Sequence, residues 1–105
     1  QKAKQHIHQH YADQDISLHS VASIVHVSPN HFSTIFSQET GETFIEYLTQ
    51  VRINKSKELL LTTALRSADI AYAVGFGDPH YFSFIFKKHT RISPREFRTG
   101  NKSPN

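Results

Sequence analysis

Cysteine is absent from this 105-residue sequence, which excludes a disulfide scaffold and a thiolate-bound metal. No apolar run approaches the ~20 residues that a membrane-spanning helix requires, and none has the layout of a signal peptide. Strand signals are nearly missing, with no sustained alternation of apolar residues. There is no nucleophile elbow, phosphate loop, HExxH helix or paired-acid motif, so neither an enzyme nor a cofactor is expected. Methionine does not occur and the first residue is Gln1, so a fragment of a longer protein is expected. The lack of thiols and of membrane signals fits a cytoplasmic location.

What remains is a globular composition. Hydrophobic residues make up 37% and charged residues 20%, too apolar for a disordered tail and enough for one ordinary domain or two very small ones. The net charge of +3 is unevenly placed. Residues 1–51 hold two lysines against five carboxylates, a balance of −3, whereas residues 52–105 hold ten Lys and Arg against four carboxylates, a balance of +6. A basic half suits a polyanionic partner, although a well-solvated surface has the same composition.

Helix punctuation is abundant. Ala3, Ile7 and Tyr11 recur at helical spacing and predict a first helix over 2–12. Ser17 can cap a second helix carrying Leu18, Val21, Ala22 and Val25, followed by a turn through His26 and Val27. Ser28-Pro29 then pairs a capping hydroxyl with the residue that tolerates the first helical position, and the helix it opens bears Phe32, Ile35 and Phe36 before Gly41. Thr43 and Glu46 form a capping-box pattern that starts a longer helix over 44–62. Ser67 can cap a short helix with Ile70, Ala71 and Val74, ending at Gly75. Asp78-Pro79 opens a helix with Phe82, Ile85 and Phe86, and Ser93-Pro94-Arg95-Glu96 opens the last of seven predicted helices.

The chain repeats itself. Ala22–Val25 matches Ala71–Val74 at an offset of 49, and from Pro29 the offset becomes 50. Pro29/Pro79, Phe32/Phe82, Ser33/Ser83, Ile35/Ile85, Phe36/Phe86, Thr40/Thr90 and Glu46/Glu96 are identical pairs. Two copies are too few for a solenoid. Each is a short helix with a central Ala, a tight turn and a capped helix with a Phe-x-x-Ile-Phe stripe, which is the grammar of a helix-turn-helix. The predicted fold is therefore all-α: a first helix-turn-helix unit over 1–42, a linker helix over 43–62, a second unit over 63–98 and a disordered tail over 99–105. A linker of ~19 residues spans ~28 Å, against ~34 Å between successive major grooves on one face of B-DNA, with DNA bending or tilt covering the difference. That geometry predicts a monomer reading an asymmetric duplex site, its two half-sites about ten base pairs apart.

The stretches SLHSVASIVHVSPNHFSTIFSQETGETFIEYL, RINKSKELLL and IAYAVGFGDPHYFSFIFKKHTRISPREFR together resemble the DNA-binding domain of AraC/XylS-type bacterial transcription regulators over residues 5–98. Within that family, the start of the chain resembles the C-terminal part of YesN-like response regulators. The resemblance implies two homeodomain-like helix-turn-helix units joined by a central helix. It also implies sequence-specific promoter binding, usually for activation, with RNA polymerase as a further partner. Two positions depart from the family pattern. Arg91 stands where the family typically has Gly, so a different local turn is expected there. Phe84 stands where the family often presents Arg or another polar side chain, and is open either to contact with a thymine methyl or to packing against a neighbour.

With the Phe and Ile stripes inward, Asn30, His31, Ser33, Thr34 and Ser37 remain for the groove in the first unit, and His80, Tyr81, Ser83 and Phe84 in the second. Asn30 has the best base-reading chemistry, since an amide pairs bidentately with adenine. Ser33 and Thr34 sit where the family reads bases. Tyr81 is open to a half-buried position against the core as well. Ser28, Arg52, Lys87, Lys88 and Arg95, with Arg98 as a further candidate, suit phosphate contact, which sets affinity and salt dependence rather than sequence preference.

Two rival readings carry different consequences. His6, His8 and His10 alternate, and only His6 and His10 share a helical face. No third ligand stands at helical spacing, so solvated histidines and no metal site are expected. The alternative function is a helical protein-interaction module without direct DNA readout, whose binding would be insensitive to salt.

Overall fold

The predicted punctuation becomes helix boundaries in a computed structural model that describes residues 2–100. Seven helices and no strand form among the described residues: α1 (Lys2–His10), α2 (Leu18–Ile24), α3 (Pro29–Thr40), α4 (Phe44–Thr62), α5 (Ser67–Ala73), α6 (Pro79–Thr90) and α7 (Pro94–Gly100). The N-termini of α2, α3, α4, α6 and α7 are closed by side chains that satisfy otherwise orphaned backbone N–H groups. The Ser28 hydroxyl accepts from the His31 N–H at 3.2 Å, with Pro29 at the first helical position. An Asp78 carboxylate oxygen accepts from the His80 N–H at 2.9 Å. Thr43 with Glu46, and Ser93 with Glu96, form reciprocal capping boxes with distances of 2.9 and 3.1 Å in each. Ser17 makes a third box with Ser20, at 2.9 and 3.0 Å, using a serine where a Glu or Gln is usual.

Some boundaries differ from expectation. α1 ends at His10, where the Asp13 N–H turns back onto the His10 carbonyl at 3.0 Å. Ser67 does not cap α5: it is already the first helical residue, and Arg66 occupies the extended cap position with no side-chain hydrogen bond. A hydroxyl inside the first turn no longer stands opposite the free N–H groups that a cap residue meets from outside. α7 continues through Thr99 and Gly100, where the Thr99 hydroxyl donates to the Arg95 carbonyl at 3.1 Å. Residues 101–105, the rest of the expected tail, lie outside the described residues.

The chain divides into two compact units, Gln1–Val51 and Arg52–Asn105. The division falls within α4, between Val51 and Arg52. In the first unit Ala3, Ile7, Val21, Ala22, Phe32, Phe36, Phe44 and Leu48 form the core. Phe36 lies 5.5 Å from Phe32, 6.1 Å from Phe44 and 5.4 Å from Tyr47, centroid to centroid, the last two edge-on. Such edge-on pairs avoid facing two electron-rich ring faces. Ala22 is fully buried, and its small side chain lets α2 and α3 approach closely.

The second unit buries Ile53 and Leu60 of α4 with Ile70, Ala71, Val74, Phe76, Phe82, Ile85 and Phe86. Phe82 stands 5.3 Å from Phe76 and 5.7 Å from Phe86, and Phe86 meets Phe97 edge-on at 5.5 Å. Each fully buried Phe or Ile contributes about 1.5–3 kcal/mol by leaving water. Ser56 is the buried polar residue here, and its hydroxyl is satisfied by donating to the Ile53 carbonyl at 2.7 Å.

The internal repeat extends to individual hydrogen bonds. The Thr40 hydroxyl lies 2.8 Å from the Phe36 carbonyl and accepts from the Glu42 N–H at 3.1 Å. The Thr90 hydroxyl does the same with Phe86 at 2.9 Å and Ile92 at 3.3 Å. The two helix-turn-helix corners match as well. Val27 N–H bonds the Ala22 carbonyl and His26 N–H bonds Ser23, both at 3.1 Å. Phe76 N–H bonds Ala71 at 2.9 Å and Gly75 N–H bonds Tyr72 at 3.1 Å. This paired pattern, from the residues just past the helix back into its last turn, is a Schellman closure. It needs a left-handed residue, and Gly75 supplies it at φ 107° while His26 is held there at φ 62°. Arg91 adopts φ 76°, ψ −1°, nearly the φ 78°, ψ 5° of Gly41 in the first unit. The turn after α6 is thus not altered by the missing glycine, contrary to expectation; the arginine takes the strained conformation.

Candidate nucleic-acid interface

Each unit turns its aromatic stripe inward, and this decides what its second helix shows to solvent. In α3 the burial of Phe32 and Phe36, with Ile35 half-buried, leaves Asn30, His31, Ser33 and Thr34 exposed and Ser37 half-buried. The Thr34 hydroxyl donates to the Asn30 carbonyl at 3.1 Å. Its proton is therefore committed, which leaves its oxygen as an acceptor and its methyl as an apolar contact. Ser28 stands at the helix entrance as an exposed cap.

In α6, Phe82, Ile85 and Phe86 are buried, His80 is exposed and Ser83 is half-buried. Tyr81 remains 54% exposed while its ring lies 6.2 Å from Phe76, so it leans on the core without entering it. Phe84 is 63% exposed, the most open large apolar side chain of this helix, and does not pack into the core. Lys87 and Lys88 are exposed in its last turn, beside His89, and Arg95 is exposed on α7. Positive charge at a helix C-terminus is favoured by the helix dipole, which Lys87 and Lys88 meet in α6, whereas Arg95 stands in the first turn of α7, where the dipole does not favour it.

Two arginines are more engaged than the sequence suggests. Arg52 is half-buried with its guanidinium 5.5 Å from the centre of the Phe76 ring, and burial pushes its pKa down from the usual arginine value. Arg98 donates from Nε to the Leu60 carbonyl at 2.9 Å and from Nη2 to the Thr63 carbonyl at 3.0 Å. It closes the C-terminal end of α4, whose last carbonyls lack helical partners, and so has a structural role beside its candidacy for phosphate contact. The exposed row of α3 also includes Gln38, absent from the sequence-based set although the offset of 50 pairs it with Lys88.

The histidines of α1 are placed elsewhere. His6 and His10 stack with ring centroids 4.4 Å apart, His10 Nδ1 lies 3.4 Å from an Asp13 carboxylate oxygen, and His8 Nε2 is 2.9 Å from the Tyr47 hydroxyl. Among the described residues no group of three or more side chains is arranged to hold a metal ion. No described helix is long and apolar enough to cross a membrane.

A family profile described as "Helix-turn-helix domain" matches residues 21–100. The arabinose operon regulatory protein of Escherichia coli (strain K12) is 41% identical over 99 residues, covering 94% of this chain and 34% of that protein. The chain thus spans about a third of the length of this curated relative. Among solved structures, the C-terminal domain of AraT, a response regulator from Geobacillus stearothermophilus, superposes with a TM-score of 0.92 at 42% identity. The alignment covers 94% of this chain and 82% of AraT's. The C-terminal domain of the two-component response regulator YesN from Fusobacterium nucleatum has a TM-score of 0.89 at 36% identity, covering 91% of this chain and 93% of its own.

Proposed function

The chain belongs to the AraC/XylS family of transcription regulators as a helix-turn-helix DNA-binding domain, and from that membership we propose that it reads an asymmetric duplex site with α3 and α6. One observation carries this reading: two helices of the same design, each entered from a Schellman corner and a side-chain cap, keep their apolar stripe buried and an accessible row free. In this reading the base-contacting residues are Asn30, His31, Ser33, Thr34 and Ser37 on α3, with His80, Tyr81, Ser83 and Phe84 on α6. Ser28, Arg52, Lys87, Lys88 and Arg95 contact phosphates and set affinity and salt dependence.

The side chains divide the work unevenly. α3 offers an amide, an imidazole and hydroxyls, so its half-site is read mainly by hydrogen bonds. α6 offers aromatic rings and a cationic last turn. Its half-site supplies more of the electrostatic affinity, consistent with the +6 balance of residues 52–105. The domain binds as a monomer, each unit taking one half-site about ten base pairs from the other. It works by binding alone, without a cofactor or a catalysed reaction. In the full regulator this binding activates transcription in the cytoplasm by presenting the protein to RNA polymerase.

The test is in vitro selection from random duplexes at about 150 mM salt, where non-specific attraction is screened, followed by footprinting of the recovered site. Two unlike motifs about one helical turn apart, protected by one protein per duplex, are expected. A palindrome bound by two copies would overturn the monomeric, two-unit reading, and no enrichment would overturn DNA readout altogether.

A further inference from the structure

The offset of 50 pairs His31 with Tyr81 and Thr34 with Phe84. In the first unit both positions are polar; in the second both are aromatic. These rings are not there to build the fold. Phe82, Ile85 and Phe86 already fill the inward stripe at 0%, 9% and 0% exposure, whereas Tyr81 and Phe84 keep 54% and 63% of their surface in water. Residues three apart on a helix lie on one face, so the two exposed rings line that face of α6 as an aromatic ridge. The Tyr81 ring is steadied at one end by Phe76.

An exposed ridge of this kind on a helix that enters a major groove meets a surface almost wholly made of hydrogen-bond donors and acceptors. The apolar exception is the C5 methyl group of thymine, which 5-methylcytosine shares. Phe84 has neither donor nor acceptor and cannot select guanine, adenine or unmethylated cytosine by hydrogen bonding. We infer that Phe84, with Tyr81 beside it, makes the second unit a reader of pyrimidine 5-methyl groups, so that its half-site is defined by thymines. The inference rests on the proposed DNA-reading role of α6 and adds the chemistry that role selects. Two consequences follow: removing the methyl while keeping every hydrogen-bonding group weakens binding, and 5-methylcytosine is favoured over cytosine at the same step.

The experiment uses the whole 105-residue chain and the duplex recovered by selection, with each thymine replaced in turn by uracil. Burial of one methyl-sized group corresponds to roughly a three- to fivefold change in affinity. A loss of that size is expected at one or two thymines of a single half-site, measured by fluorescence anisotropy. The loss should disappear in Phe84→Ala, which remains folded because the side chain lies outside the core. Phe84→Arg should move the preference at that step from thymine to guanine, whose O6 and N7 accept a bidentate arginine. Selective binding that ignores every uracil substitution would overturn methyl reading while leaving DNA recognition standing. An equal uracil response in wild type and Phe84→Ala would overturn the assignment to Phe84. Failure to recover any selective duplex would overturn both and give the ridge to a protein partner.

Discussion

His26 occupies the left-handed position of the first helix-turn-helix corner, at φ 62°, where the second unit has Gly75 at φ 107°. For an L-residue this conformation costs about 1–2 kcal/mol, because Cβ crowds the following carbonyl oxygen. Glycine avoids that cost but loses about 0.4–1 kcal/mol more to the freedom of the unfolded chain. His26→Gly is therefore expected to stabilise the domain by roughly 0.5–1 kcal/mol. Both hydrogen bonds of the corner are made by backbone atoms and survive the change, and the exposed imidazole takes little packing with it. For a chain of this size the gain corresponds to a rise in Tm of about 3–5 °C, read by far-UV circular dichroism and checked by chemical denaturation. Gly41→Ala is the matching control: Gly41 has φ +78° and an added Cβ meets nothing within 4 Å. Its cost is purely conformational, so it should destabilise by about 1 kcal/mol. An unchanged or lowered midpoint for His26→Gly would refute the claim that this corner stores strain.

Asn30→Ala should cost about 1–3 kcal/mol on the selected duplex and little on random DNA, relaxing preference in one half-site; equal losses on both would remove Asn30 from base reading. Lys87→Ala should weaken cognate and random duplexes alike and reduce the slope of log affinity against log salt by about one, read from a salt titration. Arg98→Ala should destabilise by about 1.5–3 kcal/mol, because charge-assisted bonds to Leu60 and Thr63 are lost together. Lysine at position 98 should recover only part of this in denaturation, since one ammonium does not reproduce the guanidinium fork. The Glu96 carboxylate accepts from the Ser93 backbone and draws on the Ser93 hydroxyl interaction, with Lys87 nearby, and these hold its pKa below the usual glutamate value. A depressed folded pKa means the stabilisation is present above the unfolded value and is lost as pH falls through the folded one. NMR titration should show Glu96 below an ordinary glutamate, and Ser93→Ala should raise it only part of the way, because the backbone N–H of residue 93 and Lys87 remain.

Much of this fold is legible in one dimension because its signals are short-range. Ser28-Pro29, Thr43 with Glu46, Asp78-Pro79 and Ser93 with Glu96 each act over two or three residues, and they place helix starts without knowledge of the rest of the chain. Periodicity likewise assigns Phe32, Phe36, Phe82 and Phe86 to the interior and so leaves the outward rows of α3 and α6. Ser67 shows the limit of such reasoning: a capping residue type in a plausible place became the first helical residue instead.

Local hydrogen bonds and a hydrophobic period of 3.6 residues suffice for seven helices and a duplicated helix-turn-helix plan, so both are legible in the chain alone. Tertiary structure decided what each solvent-side residue is free to do. Arg98 is drawn to carbonyls 38 and 35 residues away, and Arg52 lies against Phe76. These outcomes depend on which distant groups happen to meet each side chain, and no local pattern records that. His26 and Arg91 are the clearest case, because corners set by the packing of flanking helices hold both residues in a conformation they would not choose alone.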